Sequence, residues 1–239
     1  MQYQIIENGQ IAPGVFLLDL AGDASMLTAP GQFCQVQLPG FFLRRPISVC
    51  DWDENGMTLI YKVVGAGTAA LSHMEPGAVL DILNGLGNGY DLSACGDRPL
   101  VIGGGVGAPP MYGLTKALLR AGKSPQVVLG FNRFEECFLL DEFEDLDVPV
   151  TVATVDGSFG QKGFVTDALP ESYDYVFACG PEPMLKAVFR ACGTPGQLSL
   201  EQRMACGFGA CMGCTIETNG GPKRVCKDGP VFRKEELPW

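Results

Sequence analysis

Histidine is almost missing from this chain: His73 is the only one in 239 residues. That excludes a metal site or a general acid–base pair built on histidine. His73 itself falls in a stretch expected to form one short helix, which suits a surface or capping residue. Clusters of Lys and Arg are also missing. With 17 basic against 27 acidic side chains the net charge is −10, which argues against nucleic-acid binding through a broad basic surface. No uninterrupted apolar run approaches the roughly 20 residues needed to span a bilayer. The first residues, Met1 to Glu7, lack a basic segment followed by an apolar one, so no signal peptide is expected. The chain is read as soluble and cytoplasmic, with neither a membrane nor a nucleic acid as partner.

What the chain has in quantity is apolar surface, glycine and cysteine: 46% hydrophobic residues, 32 Gly and 10 Cys. The length suits two domains of ordinary size and a small appendage. Ten thiols in a reducing compartment point to metal or redox work rather than to disulfides. Five of them (Cys34, Cys50, Cys95, Cys137 and Cys192) lie scattered among apolar residues and read as small buried hydrophobes. Another four are concentrated. Cys206, Cys211, Cys214 and Cys226 follow the pattern C-x4-C-x2-C-x11-C, whose first spacings are those of a plant-type [2Fe-2S] cluster. Zinc, held tetrahedrally by four thiolates, is the competing occupant. Zinc ribbons usually show two C-x2-C knuckles, and this stretch has one. A glycine-rich C-x4-C loop can also turn its amides inward, toward cluster sulfur. Lys223, Arg224 and Lys227, around the fourth cysteine, read as a solvated loop that could ease the charge of a cluster or face a partner.

Residues 1–97 alternate short β-like runs with turns: Val15 to Leu20, Gln32 to Leu38, Ile47 to Trp52, Met57 to Val64 and Ala78 to Leu83. Asp53-Glu54-Asn55-Gly56 makes a hairpin turn between two of them. At least five strands with no long helix predict a small closed barrel, with one short helix over Gly67 to Met74. Two stretches there could meet a phosphorylated cofactor. In Arg44-Arg45-Pro46-Ile47-Ser48 a guanidinium can clamp pyrophosphate and a hydroxyl can reach a ring nitrogen. In Gly65-Ala66-Gly67-Thr68 backbone amides open at a helix start. Taken singly, a solvated Arg-Arg and a plain strand-to-helix turn are the alternatives.

From Arg98 strands and helices alternate. Strands are expected at Pro99 to Ile102, Gln126 to Phe131, Val148 to Thr154, Asp174 to Cys179 and Gln197 to Leu200. Helices are expected at Met111 to Ala121, Glu135 to Asp145, Phe164 to Leu169 and Glu182 to Ala191. This predicts βαβ crossovers and a parallel sheet, whose ligands bind at the carboxyl ends of strands. Two turns lie there: Gly103-Gly104-Gly105-Val106-Gly107, which is not G-x-G-x-x-G, and Cys179-Gly180-Pro181. Asp156-Gly157-Ser158 is either part of the same cleft or an ordinary loop. Asn132 and Arg133 lie where NAD and NADP are often told apart.

Together the first two stretches resemble the flavin-binding barrel of the ferredoxin reductase superfamily, and Cys179-Gly180-Pro181 resembles its nicotinamide-binding half. The resemblance implies that Arg45, Pro46, Ile47 and Ser48 lie along FAD and that Tyr61, Lys62 and Val63 line it. It implies that Gly67 and Thr68 meet its pyrophosphate. NAD would meet Gly103, Gly104, Gly105, Gly107, Gly180 and Pro181, with Cys179 at the nicotinamide. Over essentially the whole chain, and above all in Glu201 to Cys211, the order of parts resembles the electron-transfer subunit of the two-subunit, NAD-dependent dihydroorotate dehydrogenases. This implies an FAD-binding β-barrel (1–97), an NAD-binding α/β domain (98–197) and a [2Fe-2S] subdomain (198–239) ligated by Cys206, Cys211, Cys214 and Cys226. It further implies a separate FMN-containing catalytic subunit in a heterotetramer. Flavin and iron–sulfur subunits of ferredoxin:NADP oxidoreductases and sulfide dehydrogenases share the plan, but commonly place an acidic residue at the position of Cys206. A zinc-stabilised binding module without redox work is the reading from another class.

Overall fold

In the computed structural model, which describes all 239 residues, the first half closes into an antiparallel barrel of six strands. They are β1 (Gln2–Ala12), β2 (Val15–Ala21), β3 (Phe33–Val36), β4 (Arg45–Trp52), β5 (Gly56–Lys62) and β6 (Val79–Leu86), in the order β1-β2-β5-β4-β3-β6. Side-chain alternation sends Leu18, Val36, Leu59 and Ile82 into the barrel core. At the β4–β5 turn Asp53 accepts the amides of Asn55 and Gly56 at 2.7 and 3.1 Å. Helix α1 (Ala66–Ser72) sends Leu71 into the barrel core. The five expected strands omit β1. Only Tyr3, Ile5 and Ala12 of its 11 residues are buried, so its polar outer face hides the apolar signal.

The second half is α/β: β7 (Pro99–Gly104), α2 (Ala108–Arg120), β8 (Gln126–Phe131), α3 (Leu140–Glu144), β9 (Val150–Thr154), β10 (Gln161–Lys162), β11 (Tyr175–Cys179), α4 (Glu182–Ala191) and β12 (Gly196–Ser199). The tail adds a hairpin, β13 (Thr215–Thr218) and β14 (Gly221–Arg224), then α5 (Val225–Asp228) and β15 (Val231–Arg233). The sheet order is β10-β9-β8-β7-β11-β12-β15. All its pairings are parallel except β15, which runs antiparallel to β12. The chain builds outward from β7 in one direction and then in the other. The crevice between the carboxyl ends of β7 and β11 is therefore the switch point where ligands bind in such sheets.

Two expected helices shrink. The acidic segment from Glu135 to Asp145 breaks at Leu139, which takes φ 61°. Phe138 and Leu139 both turn into the core, Phe138 edge-on to Phe131 at 5.4 Å, and the left-handed backbone at Leu139 stops the helix there. Phe164 to Leu169 keeps only a single turn of 3-10 helix, Val165–Asp167. There the Asp167 carboxylate accepts the Phe164 amide at 2.7 Å, which favours a local cap over propagation.

The tail is built into the body of the molecule. Cys214, Val225, Cys226 and Phe232 share one buried core with Phe33 of the barrel and with Leu100, Ile102 and Val176 of the sheet. The link between barrel and sheet is tied down as well. The Tyr90 hydroxyl donates to the Ala178 carbonyl at 3.0 Å. Buried Gln197 accepts the Asp91 amide and donates to the Asp91 carbonyl, both at 2.9 Å, and donates to the Tyr175 hydroxyl at 3.1 Å. Gln197→Leu leaves the Asp91 groups without partners beneath the sheet. It should lower stability by about 1–3 kcal/mol, read as a lower urea midpoint with an unchanged slope.

Candidate functional site

The ends of β4 and β5, the start of α1 and the end of β11 surround a cavity of about 260 Å³. Pro46, Ile47, Ser48, Tyr61, Lys62 and Thr68, six residues expected along the flavin, all line it, and Cys179 closes it from the sheet side. Tyr61 is fixed by its ring, 5.8 Å from Phe16 in a stacked arrangement, and by its hydroxyl, which donates to Asn8 at 2.9 Å. Arg45 lies against the α1 start: a Cβ at Gly67 would come within 2.6 Å of the guanidinium carbon. That glycine leaves room for the cation beside the open amides of the turn. The Thr68 hydroxyl accepts from the amides of Val64 and Gly65 at 2.9 and 3.3 Å, so it organises the turn. Arg44 points elsewhere, pairing with Asp81 at 2.6 Å. Val63 packs against the barrel core and does not line the cavity.

A second cavity, of about 570 Å³, opens over the carboxyl ends of β7, β8 and β11. Gly104, Gly105 and Pro181 line it. Gly103, Gly107 and Gly180 serve close packing. A Cβ on Gly103 would meet Ala108 Cα at 2.7 Å, one on Gly107 would meet Gly180 Cα at 2.7 Å, and one on Gly180 would meet Met184 Sδ at 3.0 Å. Asp156 and Ser158 stay outside, bonded to each other at 2.7 Å, with Ser158 also accepting the Phe134 amide. Asn132 lines the cavity and donates to Glu136 at 2.7 Å. Arg133 turns its Nε to the same carboxylate at 3.2 Å.

The two cavities adjoin, and Lys62, Val106 and Glu201 line both. Ring systems in the two cavities would thus meet across Lys62, Val106 and Glu201, with Cys179 on the first cavity's side of that wall, and hydride transfer needs reacting groups held in contact. Burial, and then the nearby Glu201 carboxylate, push the Cys179 thiol up to about 12, so it remains a neutral thiol. Glu201 lines both cavities, and partial burial of its carboxyl in the cleft pushes it up. Sequence reasoning did not single it out, although its position directly after β12, at a strand's carboxyl end, was the available signal.

The four concentrated cysteines come together as two pairs. Cys206 and Cys211 lie on the glycine loop, and Cys214 and Cys226 flank the β13–β14 hairpin. Four thiols can supply two thiolates to each iron of a two-iron cluster. Amides do face the sulfurs: Cys211 N to Cys206 Sγ at 3.4 Å, Gly213 N to Cys211 Sγ at 3.5 Å and Cys226 N to Cys214 Sγ at 3.4 Å. Burial raises the Cys206 thiol, but the amides of Cys211, Phe208 and Ala210 outweigh it and hold it at about 6. That supplies a thiolate, the form that ligates metal. The donor set thus fits a [2Fe-2S] cluster. Arg224, expected to be solvated, instead braces the loop: it forks onto Asp228 at 2.9 and 3.1 Å and donates to the Gly209 carbonyl at 3.0 Å. Lys223 pairs with Glu236.

Comparison with known proteins finds relatives along the whole chain. Residues 201–238 match the family profile "Iron-sulfur cluster binding domain of dihydroorotate dehydrogenase B", and residues 101–190 match "Oxidoreductase NAD-binding domain". The chain is 43% identical to a Geobacillus "Dihydroorotate dehydrogenase B (NAD(+)), electron transfer subunit", covering 99% of this chain and 97% of that one. The Listeria innocua protein of the same name is 41% identical over 99% and 98%. A chain of an NADH-dependent reduced ferredoxin-NADP oxidoreductase structure superposes with a TM-score of 0.89 at 34% identity, over 99% of this chain and 90% of that one.

Two outcomes follow from the geometry. Gly207 takes φ +78°, and a Cβ there would meet Gln35 Cγ at 2.7 Å. Gly207→Ala should therefore cost about 1–3 kcal/mol and lower the visible absorbance per chain. Gly220→Ala, whose nearest neighbour is at 3.8 Å, should leave it unchanged. For Cys179, a raised value means that thiolate forms only as pH climbs toward 12. Peptide mapping should find it unalkylated by iodoacetamide from pH 7 to 9 in the folded protein and readily alkylated once the protein is unfolded.

Proposed function

The chain belongs to the family of dihydroorotate dehydrogenase B electron-transfer subunits, and from that membership we propose how its two cavities and four thiols divide the work. Three segments share it: 1–97 holds FAD, 98–197 receives NAD, and 198–239 holds a [2Fe-2S] cluster on Cys206, Cys211, Cys214 and Cys226. Pro46, Ile47, Ser48, Tyr61 and Lys62 line the flavin ring, and Arg45 with the Gly67 turn receives the pyrophosphate. Gly104, Gly105 and Pro181 border NAD. The observation that carries this reading is the shared wall at Lys62, Val106 and Glu201 beside Cys179, with the cysteine loop packed on the same core.

Bound flavin supplies the exchange between single electrons and hydride. The protein's part is placement. Cys179, a neutral thiol, gives the nicotinamide an uncharged surface, and Tyr90 holds the strand that carries it. With both ligands bound, the wall of Lys62, Val106 and Glu201 would hold them for transfer of two electrons and one proton, as hydride, to NAD+. A cluster held by the cysteine loop would accept single electrons at its outer edge, where Cys211, Phe208 and Met212 are exposed. This apolar rim suits a protein face, and we assign it to an FMN-containing subunit that oxidises dihydroorotate, with two copies of each chain in the assembly.

The decisive preparation is the chain purified with whatever accompanies it. Iron, sulfide and flavin at about two to two to one, together with an FMN-bearing dihydroorotate-oxidising chain, are expected. Cys211→Ser should abolish the iron–sulfur spectrum and leave the flavin bound. A colourless protein holding only zinc would sink the relay, and loss of flavin together with the cluster would overturn the division into segments. The ferredoxin-linked reading has the 34% structural match in its favour. Reduction of ferredoxin without any dihydroorotate-oxidising partner would establish it instead.

The nucleotide preference follows from charge. The Glu136 carboxylate borders the NAD cavity and engages Asn132 and Arg133. It can accept a ribose hydroxyl and repels a 2′-phosphate. NADH should be preferred over NADPH, and Glu136→Ala should narrow that preference by about tenfold in kcat/KM, equivalent to about 1.4 kcal/mol.

A further inference from the structure

Gln35 is fully buried in β3, and both polar atoms of its carboxamide lack a hydrogen-bond partner. An unpartnered buried amide costs on the order of 1–3 kcal/mol, and native proteins rarely keep one without a reason. Its surroundings supply the reason. Cys34 and Val36 point into the barrel core, while Phe33 points to the core that contains Cys214 and Cys226. Gln35 alternates with Cys34 and so faces the same side as Phe33. Its register partner across the sheet is Pro46 and that of Phe33 is Ser48, and all three of these neighbours line the flavin-side cavity. In the other direction the carboxamide lies directly on Gly207, inside the C-x4-C loop. A Cβ there would sit 2.7 Å from Gln35 Cγ and 2.9 Å from Cδ, with the amide nitrogen nearer still. Glycine at this point lets the amide approach the loop whose backbone N–H groups already gather on Cys206 Sγ.

We propose that Gln35 is a positioning residue that donates its free side-chain N–H to sulfur at the cluster site across Gly207. It thereby sets the cluster's potential from the same strand face that borders the flavin. The proposal rests on the iron–sulfur reading above. Hydrogen bonds to cluster sulfur favour the more negative, reduced form. Their loss therefore lowers the potential and pulls the electron equilibrium toward the flavin.

The test uses the full chain in its assembly, followed by redox titration with electron paramagnetic resonance. Gln35→Leu and Gln35→Met keep the volume and remove the donor. In either variant the equilibrium between cluster and flavin should shift about tenfold, equivalent to a fall of about 59 mV for a one-electron couple, with the flavin potential unchanged. A cluster potential equal to that of the parent would overturn the proposal, because a merely structural role would change cluster retention and not potential. Should both variants lose the cluster, the parent protein still decides the matter. With side-chain [15N]glutamine, pulsed resonance on the reduced cluster should detect a coupled side-chain nitrogen, and its absence would overturn the assignment. A parent protein with no iron–sulfur signal at all would instead remove the reading on which the proposal rests.

Discussion

The hydrogen bond from Tyr90 to the Ala178 carbonyl fixes the relation between the two halves of this molecule. Tyr90 ends the segment that leaves the barrel, and Ala178 precedes Cys179 at the mouth of the sheet. A buried hydroxyl with one partner, its ring edge-on to Phe177 at 5.5 Å, has little freedom to slide. Gln197 fixes the next residue, Asp91, from below. Two cavities formed by separate folding units can share a wall only if the units cannot rock. Reacting groups must be held near 3–3.5 Å, and displacement of an ångström is costly. These polar ties thus set the geometry in which a flavin and a nicotinamide could exchange hydride.

The third part of the relay is held by the same logic with different chemistry. A cluster loop needs positive φ, inward-facing amides and thiolates, none of which is stable as an isolated segment. Here Phe33, Leu100 and Val176 provide the apolar floor on which Cys214 and Cys226 rest, and Arg224 joins Asp228 to the Gly209 carbonyl above it. The return of β15 to the edge of the sheet anchors the chain beyond the last cysteine. Cys211 is exposed and Cys206 half-buried at the rim, and the buried pair, Cys214 and Cys226, faces inward. That asymmetry gives the site an outside and an inside, as a relay from another protein requires.

Features that depend on local chemistry were legible in the sequence. The cysteine spacing, the Asn-Gly hairpin turn, the Cys179-Gly180-Pro181 strand end and the helix over Glu182–Ala191 all depend on residues within a few positions of one another. What was hidden depends on partners distant in sequence. The apolar face of β1 amounts to three residues, legible only against β2 and β6. The break at Leu139 answers to Phe131, and β15 answers to β12. Glu201 reads as one more acidic side chain until β12 carries it to the cleft. Arg224 looks solvated until Asp228 and Gly209 close on it.

Gln35 shows this limit most sharply. In sequence it is a glutamine within an alternating strand, where an outward polar residue would be unremarkable. Burial turns it into a cost, because water can no longer satisfy its amide. The face opposite the barrel core is covered by a loop from residue 207, so the amide needs a partner from that loop or from what the loop holds. Backbone groups of the loop are already directed at Cys206 Sγ. The free donor and the sulfur site therefore account for each other: a cluster bound there would supply the buried amide's partner and gain a donor from the barrel wall.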